Sequence, residues 1–551
     1  MRFTRTRHRL LLLVVVALTA FAACGSSGGG STAGQASGRP VSGGSLTFAT
    51  DTEPINFDIH VSPQDVTALI QRNVFDSLVY QDSKGAFHPW LAESWETAPD
   101  LRSYTFHLRT GVRFSDGTAF DAEAVKLNFE HVVAKTTKSQ FAASLLGPYT
   151  GTEVIDPTTV KVSFSQPFAP FLQAASTAYL GFYSPKALAE NAGKLSAGGP
   201  VDVGTGPFLF SSYTKGQSVV LTRNPAYAWA PKGAGHSGPA YLDRLTIRFL
   251  RENSVRVGAL NSGQIDVAGS LPPANVKAVE ANRSLQVLRR DASGGNYNIY
   301  PNTTRGPLTD ERVRKALQQG INIDQNVRTV YFGQYKRAWS PVGALTPSYN
   351  PALVGTWPYD AAKANRLLDE AGWTGRDAGG YRTKDGKRLS LRWPIVPSLV
   401  REQRDILGQA IQEDLHKIGV EIVRPSLDAG TYIDAIYSGD YDLLDLSWAR
   451  FEPDVLRLAF HSKSTAANGG QNASYFNDPD VDRWTVTGEG TFDTSVRNDV
   501  YAKTQQRVIE RAAVIPVYTP SYIVGAASYV RDLTFDTNAW PRFYDVWRDK
   551  K

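Results

Sequence analysis

Cysteine is almost absent from this 551-residue chain: one residue, Cys24, so no intramolecular disulfide can form. Paired metal-ligand spacing is missing too. Beyond the first 23 residues the histidines are His60, His88, His107, His131, His236, His416 and His461, and no two stand in an HxxxH arrangement. Basic blocks are lacking after the start. The formal charge is +6, but Arg2, Arg5, Arg7 and Arg9 lie in the first 23 residues, which leaves +2 for the remainder. Nucleic-acid binding is therefore not expected, since it calls for a clustered basic patch. Hydrolase signatures are also wanting. There is no HExxH, and the single GxSxG match, Gly25–Gly29, falls in a Gly/Ser-rich stretch. GTGPFLF at Gly204–Phe210 is no P-loop, because Pro207 and Phe208 stand where Lys-Ser/Thr and a helix start are needed; it reads as a tight backbone crossing before a strand. An apolar run occurs only at the start, Leu10 to Leu18, and it is short for a membrane span of about 20 residues.

What is present begins with that run. A basic start, the run, small residues and Ala22-Ala23-Cys24 make residues 1–23 an export signal. Residues 24–43 are Gly/Ser-rich and read as a flexible tether. The rest, 42% hydrophobic and 20% charged overall, has the composition of an ordinary globular protein, long enough for two or three lobes.

The segment Pro89–Val125 is dense in legible local signals. Tyr104, Phe106 and Leu108 alternate with Thr105, His107 and Arg109, the period of a half-buried strand. Val112 and Phe114 predict a short second strand, Asp116-Gly117 a tight turn, and Asp121 the cap of a helix bearing Ala122, Val125, Phe129 and Val132. Further strands are predicted at Ser45–Thr50, Thr158–Phe164 and Leu242–Leu250, a helix from Val66, and apolar core at Phe168–Leu180. In the second half Thr309 and Asp360 are expected to cap helices. Arg388–Val396, Arg401–Ile418 and Val420–Val423 read as strand, helix and parallel strand. YDLLDLS at Tyr441–Ser447 reads as a buried strand. Trp448, Arg450 and Phe451 follow it, where open α/β sheets place their ligands. Core packing is the competing reading for Trp448, and solvation for Glu53 and Asn56 in the loop after the first strand.

Pro89–Val125 resembles the signature region of solute-binding protein family 5 of ABC importers, the dipeptide-, oligopeptide- and nickel-binding proteins. GTGPF at Gly204–Phe208, RNPAY at Arg223–Tyr227, LNSGQIDVA at Leu260–Ala268, LTDERVRKALQQGIN at Leu308–Asn322, YDAAKANRLLDEAGW at Tyr359–Trp373 and GDYDLLDLSW at Gly439–Trp448 resemble family segments in family order. The start resembles a bacterial lipoprotein signal, with Phe21 where leucine is usual and Cys24 as the lipidated residue.

The resemblance implies an α/β, two-lobed periplasmic-binding-protein-like fold with an extra domain beside lobe I (cluster C type). Lobe I would comprise 44–58, 178–285 and 515–551, the extra domain 59–177 and lobe II 286–514. It implies a monomeric, non-enzymatic lipoprotein without cofactor that captures a peptide or peptide-like solute. The solute would be delivered to ABC permease subunits with their ATPase, at the outer face of the cytoplasmic membrane. Expected ligand contacts are Trp448, Arg450, Phe451, Glu452, Asp454, Glu53, Asn56, Tyr297 and Trp339. Peptide-binding relatives hold the α-amino group with an aspartate shortly after the tryptophan corresponding to Trp448. Here Ala449, Arg450 and Phe451 follow, so either Glu452 or Asp454 substitutes or no free amino terminus is held. Arg450 suits a carboxylate or phosphate, or else pairs with Glu452. A metal chelate is the weaker alternative, since Ser176–Tyr183 has no arginine and only His461 could approach. A secreted hydrolase or a sensor lipoprotein is the competing class.

Overall fold

The computed structural model describes residues 38–139 and 141–549. The signal, Cys24 and most of the tether lie outside the described residues. The polypeptide from Gly38 onward is one compact unit that folds around three apolar cores.

A seven-stranded mixed sheet forms the first lobe. Its strands run in the order Leu285–Asp291, Ser521–Ala527, Val267–Ala268, Ser45–Thr50, Arg244–Phe249, Ser218–Arg223 and Phe208–Thr214. Ser45–Thr50 sits near its middle, parallel to both neighbours. Parallel strands covered on both faces read as continuous apolar runs. Leu46 and Phe48 accordingly enter one core and Ala49 the other.

The first core continues into a four-stranded antiparallel sheet of Ala92–Thr97, Ser103–Leu108, Thr159–Phe164 and Tyr149–Asp156. Here the period of two holds: Tyr104, Phe106 and Leu108 are buried and their alternates half-exposed. The helix Ala122–Val133 is capped as expected, the Asp121 carboxylate accepting the Ala124 N–H at 2.9 Å. The second strand expected at Val112 and Phe114 is reduced to one bridge between Arg113 and Ala119. The helix expected from Val66 spans only Asp65–Gln71 before the chain turns. Gly204 and Gly206 cross the backbone of Asn73 and Val74 so closely that a Cβ at Gly204 would lie 2.1 Å from the Val74 carbonyl oxygen. The glycines there serve close approach, not phosphate binding.

The second lobe is built on Lys336–Arg337, Ile515–Thr519, Gly294–Pro301 and Leu443–Ala449, in that sheet order. Beside it Ser390–Arg392 pairs in parallel with Glu421–Val423 through the helix Arg404–Lys417, the strand–helix–strand unit read from sequence. The helix at Glu311 is capped by Asp310, which accepts the Arg312 N–H, and not by Thr309, whose hydroxyl turns back to the Gly306 carbonyl.

The chain passes between the two sheets twice. Leu285–Asp291 belongs to the first and Gly294–Pro301 to the second, with Ala292 and Ser293 between them. On the return, Ile515–Thr519 pairs with Gly294–Pro301, and Ser521–Ala527 with Leu285–Asp291, so the passage falls at Pro520. The two connections touch: Ala292 N–H donates to the Pro520 carbonyl at 2.8 Å.

Candidate functional site

Polar chemistry concentrates where the second lobe faces the helix Asp65–Gln71. Ahead of the helix Arg404–Lys417 stand Arg401, Glu402 and Gln403, the last two in left-handed conformation at φ 54°. Arg404 donates to Tyr518 Oη at 2.9 Å, to Ser447 Oγ at 2.8 Å and to Glu402 at 2.8 Å, and its guanidinium lies 4.3 Å over the Tyr297 ring. Tyr518 donates to Glu402 at 2.5 Å. Burial pushes the Glu402 carboxyl up, but Arg404 and Arg401 outweigh it and hold it down at about 2. Arg401 reaches from Ser447 Oγ, at 3.2 Å, across to Asp65 on the first-lobe side, at 3.3 Å. Its side chain is still 41% exposed, so it can exchange that partner for another anion.

The strand Leu443–Ala449 supplies the neighbouring wall. Asp445 accepts from Tyr297 Oη at 2.9 Å and from Trp393 Nε1 at 2.7 Å, which fixes both rings. Trp448 lies parallel to Phe141 at 6.3 Å; Phe141 meets Tyr179 at 4.7 Å, and Tyr179 meets Trp540 at 6.2 Å. An aromatic row thus runs from the second lobe to the C-terminal segment. Behind it is a cavity of about 80 Å³ lined by Arg72, Gln173, Thr177, Asp536 and Trp540 among others, with no lining residue from 286–514.

The expected ligand residues are scattered. Trp448 is half-buried at the interlobe face just described, whereas Tyr297 is 1% exposed and lies in the second core beneath the Arg404 guanidinium. Arg450, Phe451, Glu452 and Asp454 are all buried. Arg450 Nε donates to Gln173 at 3.1 Å, while Phe451 packs against Gly85. Glu452 pairs with Arg497, and Asp454 with Arg457 at 2.9 Å and Tyr501 at 3.2 Å. The pairing of Arg450 with Glu452 entertained from sequence is replaced by these partners. Glu53 accepts from Tyr213 Oη at 2.7 Å and Gly216 N–H at 2.6 Å and so ties its loop to the hairpin of Phe208–Thr214 and Ser218–Arg223, whereas Asn56 accepts from Asp58 N–H at 2.8 Å and closes a local turn. Trp339 stacks under Arg337 at 3.4 Å and edge-on to Trp357 at 5.4 Å. Cys24 is outside the described residues. His461 lies beside Asp482 at 3.8 Å. Among the described residues no three His, Cys, Asp or Glu side chains converge as metal ligands.

Sequence reasoning missed Arg401, Glu402, Arg404 and Asp65. A signal existed: Arg401 and Arg404 sit at a helix N-terminus, where cations oppose the macrodipole and need a reason to be.

A two-lobed α/β body whose lobes meet at a polar, partly exposed face is the architecture of a protein that closes on a solute. The chain belongs to the bacterial extracellular solute-binding proteins, family 5, whose model matches residues 86–469. It is 31% identical over 388 residues to the glutathione-binding protein of Escherichia coli O1:K1, covering 70% of each chain. It is 26% identical over 449 residues to the probable D,D-dipeptide-binding periplasmic protein of Escherichia coli K12, covering 81% and 82%. Among solved structures, the oligopeptide-binding protein AppA of Bacillus subtilis, in complex with a nonapeptide, superposes with a TM-score of 0.81 at 21% identity, over 93% of this chain and all of that one. NikA of Brucella suis, in complex with Fe(III)-EDTA, gives 0.79 at 25% identity over 92% and 100%. The present chain shares the fold of these solved structures.

Proposed function

We propose that this protein is the extracytoplasmic solute-binding lipoprotein of an ABC importer, holding a peptide or peptide-like solute between its lobes and handing it to a membrane permease. The observation that carries the reading is the Arg401–Glu402–Arg404–Ser447 cluster facing Asp65 across the cleft. Arg401 is reachable by solvent and pre-positioned by Ser447, so a solute carboxylate can take the place of Asp65 with a charge-assisted, two-point grip. Trp448, beside it on the strand, offers an aromatic wall. The relatives' peptide ligands support the class of solute.

Lobe I, the extra domain and lobe II are proposed as the resemblance implies, with two shifts: the first passage moves from 285/286 to Ala292–Ser293, because Leu285–Asp291 pairs in the first sheet, and the return passage moves from 514/515 to Pro520, because Ile515–Thr519 pairs in the second. Cys24 is proposed as the lipid attachment point and residues 24–43 as the tether.

Titration calorimetry with the solute tests the site. Arg401→Ala and Trp448→Ala should each weaken binding about tenfold or more, roughly 1.4 kcal/mol, with thermal melting unchanged to within a few degrees. Wild-type affinity in both variants would reject the cleft as the site.

A further inference from the structure

Trp448 lies near the end of the strand Leu443–Ala449 and Arg450 just beyond it. Both meet the extra domain, Trp448 at Phe141 and Arg450 Nε at Gln173, and the short helices carrying these, Phe141–Leu146 and Phe171–Ala174, pack on each other. Each side chain keeps a buried donor with no acceptor among the described residues: Trp448 Nε1 and Arg450 Nη1. Arg450 is only 5% exposed. The great majority of buried donors are paired, and two left unpaired against the same pair of helices point to an acceptor brought by the solute.

The carboxylates that could have welcomed a cation here are committed. Glu452 accepts from Arg497 and from Asp454 N–H at 3.1 Å. Asp454 accepts from Arg457 at 3.0 and 2.9 Å and from Tyr501 at 3.2 Å. Glu489 faces Arg457 at 3.1 Å and Gln166 at 3.4 Å. Burial and the charge of Asp454 push the Glu489 carboxyl up to about 8, against Arg457 and Arg450. Glu452, Asp454 and Glu489 thus each face a guanidinium, and none of the three stands open to a solute cation.

We infer that this end of the cleft takes a hydrogen-bond acceptor of the solute, an acyl or carboxylate oxygen held by Trp448 Nε1 and Arg450, so that the solute class is peptides whose amino end is acylated or acid-capped. A free α-ammonium would meet Arg450 with no open carboxylate, a like-charge contact that selects against it. The inference rests on the peptide-binding reading above.

Calorimetry on matched tripeptides, each with a free, an N-acetyl and an N-succinyl amino end, tests it. With wild-type protein the acylated forms should bind about tenfold or more tighter than the free form, and N-succinyl at least as tightly as N-acetyl. Arg450→Gln should bring the forms to within about threefold, with Arg450→Lys intermediate. Free tripeptides binding as tightly as acylated ones, or more so, overturn the inference and leave the peptide-binding reading standing. No binding of either form overturns both. If Arg450→Gln does not fold, as judged by thermal melting, the wild-type ratio alone decides.

Discussion

Two carboxyls, Glu402 half-buried and Glu489 buried, are driven in opposite directions, and the difference lies in their partners. Glu402 sits among Arg401, Arg404 and the Tyr518 hydroxyl and is held down at about 2. Glu489 is desolvated, has Asp454 beside it, and shares Arg457 with it, so it rises to about 8. A carboxyl with a raised folded-state pKa binds its proton more tightly in the native protein. Its contribution to stability is present below the unfolded value of about 4.3 and is lost as pH rises through about 8. Glu489→Gln should therefore flatten the fall in melting temperature between about pH 5 and pH 8, measured by thermal denaturation; an unchanged slope would contradict the assignment. Little of this was legible in the sequence. Arg450 could be singled out because it follows a buried strand and a tryptophan, but its partner Gln173 lies 277 residues away. Glu452 and Asp454 looked available because nothing local reveals Arg497 and Tyr501 as their neighbours; only Arg457, three residues after Asp454, is a local partner.

Strands carry the connection between lobes. Gly294 adopts φ +88° where the chain enters the second sheet, and a Cβ there would lie 2.3 Å from the Trp448 carbonyl oxygen and 2.4 Å from Arg450 N. Only glycine lets the two strands approach at the point that aims Trp448 and Arg450. Gly294→Ala combines a disfavoured φ with backbone overlap and should cost at least about 2 kcal/mol by chemical denaturation. A loss within 0.5 kcal/mol, the range of roughly neutral surface changes, would show that the approach is not needed. Elements with a clean period were legible: the strand around Tyr104 and Phe106, the Asp121-capped helix, the parallel pair flanking Arg404–Lys417. Boundaries were not where two equal signals adjoin. Thr309 and Asp310 are both good caps, but Thr309 ends the short helix Gly306–Thr309 with its hydroxyl on the Gly306 carbonyl, which leaves Asp310 to cap. Ile515–Thr519 is buried throughout and Ser521–Ala527 almost so, so alternation could not show that the chain changes sheets between them at Pro520.

At the scale of the whole molecule, the folded body is expected to hang from a lipid on Cys24 through residues 24–43. No helix among the described residues is long and apolar enough to cross a membrane. Cys24→Ser should move the protein from the membrane fraction to the soluble fraction of the native host; retention in the membrane fraction would refute the anchor.

The family was legible because its segments recur in order along the sequence; the solute was not, since it depends on how distant side chains converge on one cleft. Native mass spectrometry of the soluble body mixed with a pool of short peptides, free and acylated, tests the central claim most directly. One intact peptide bound per chain, lost on Arg401→Ala, is the predicted result. No peptide adduct, or peptides cleaved during the incubation, would contradict it.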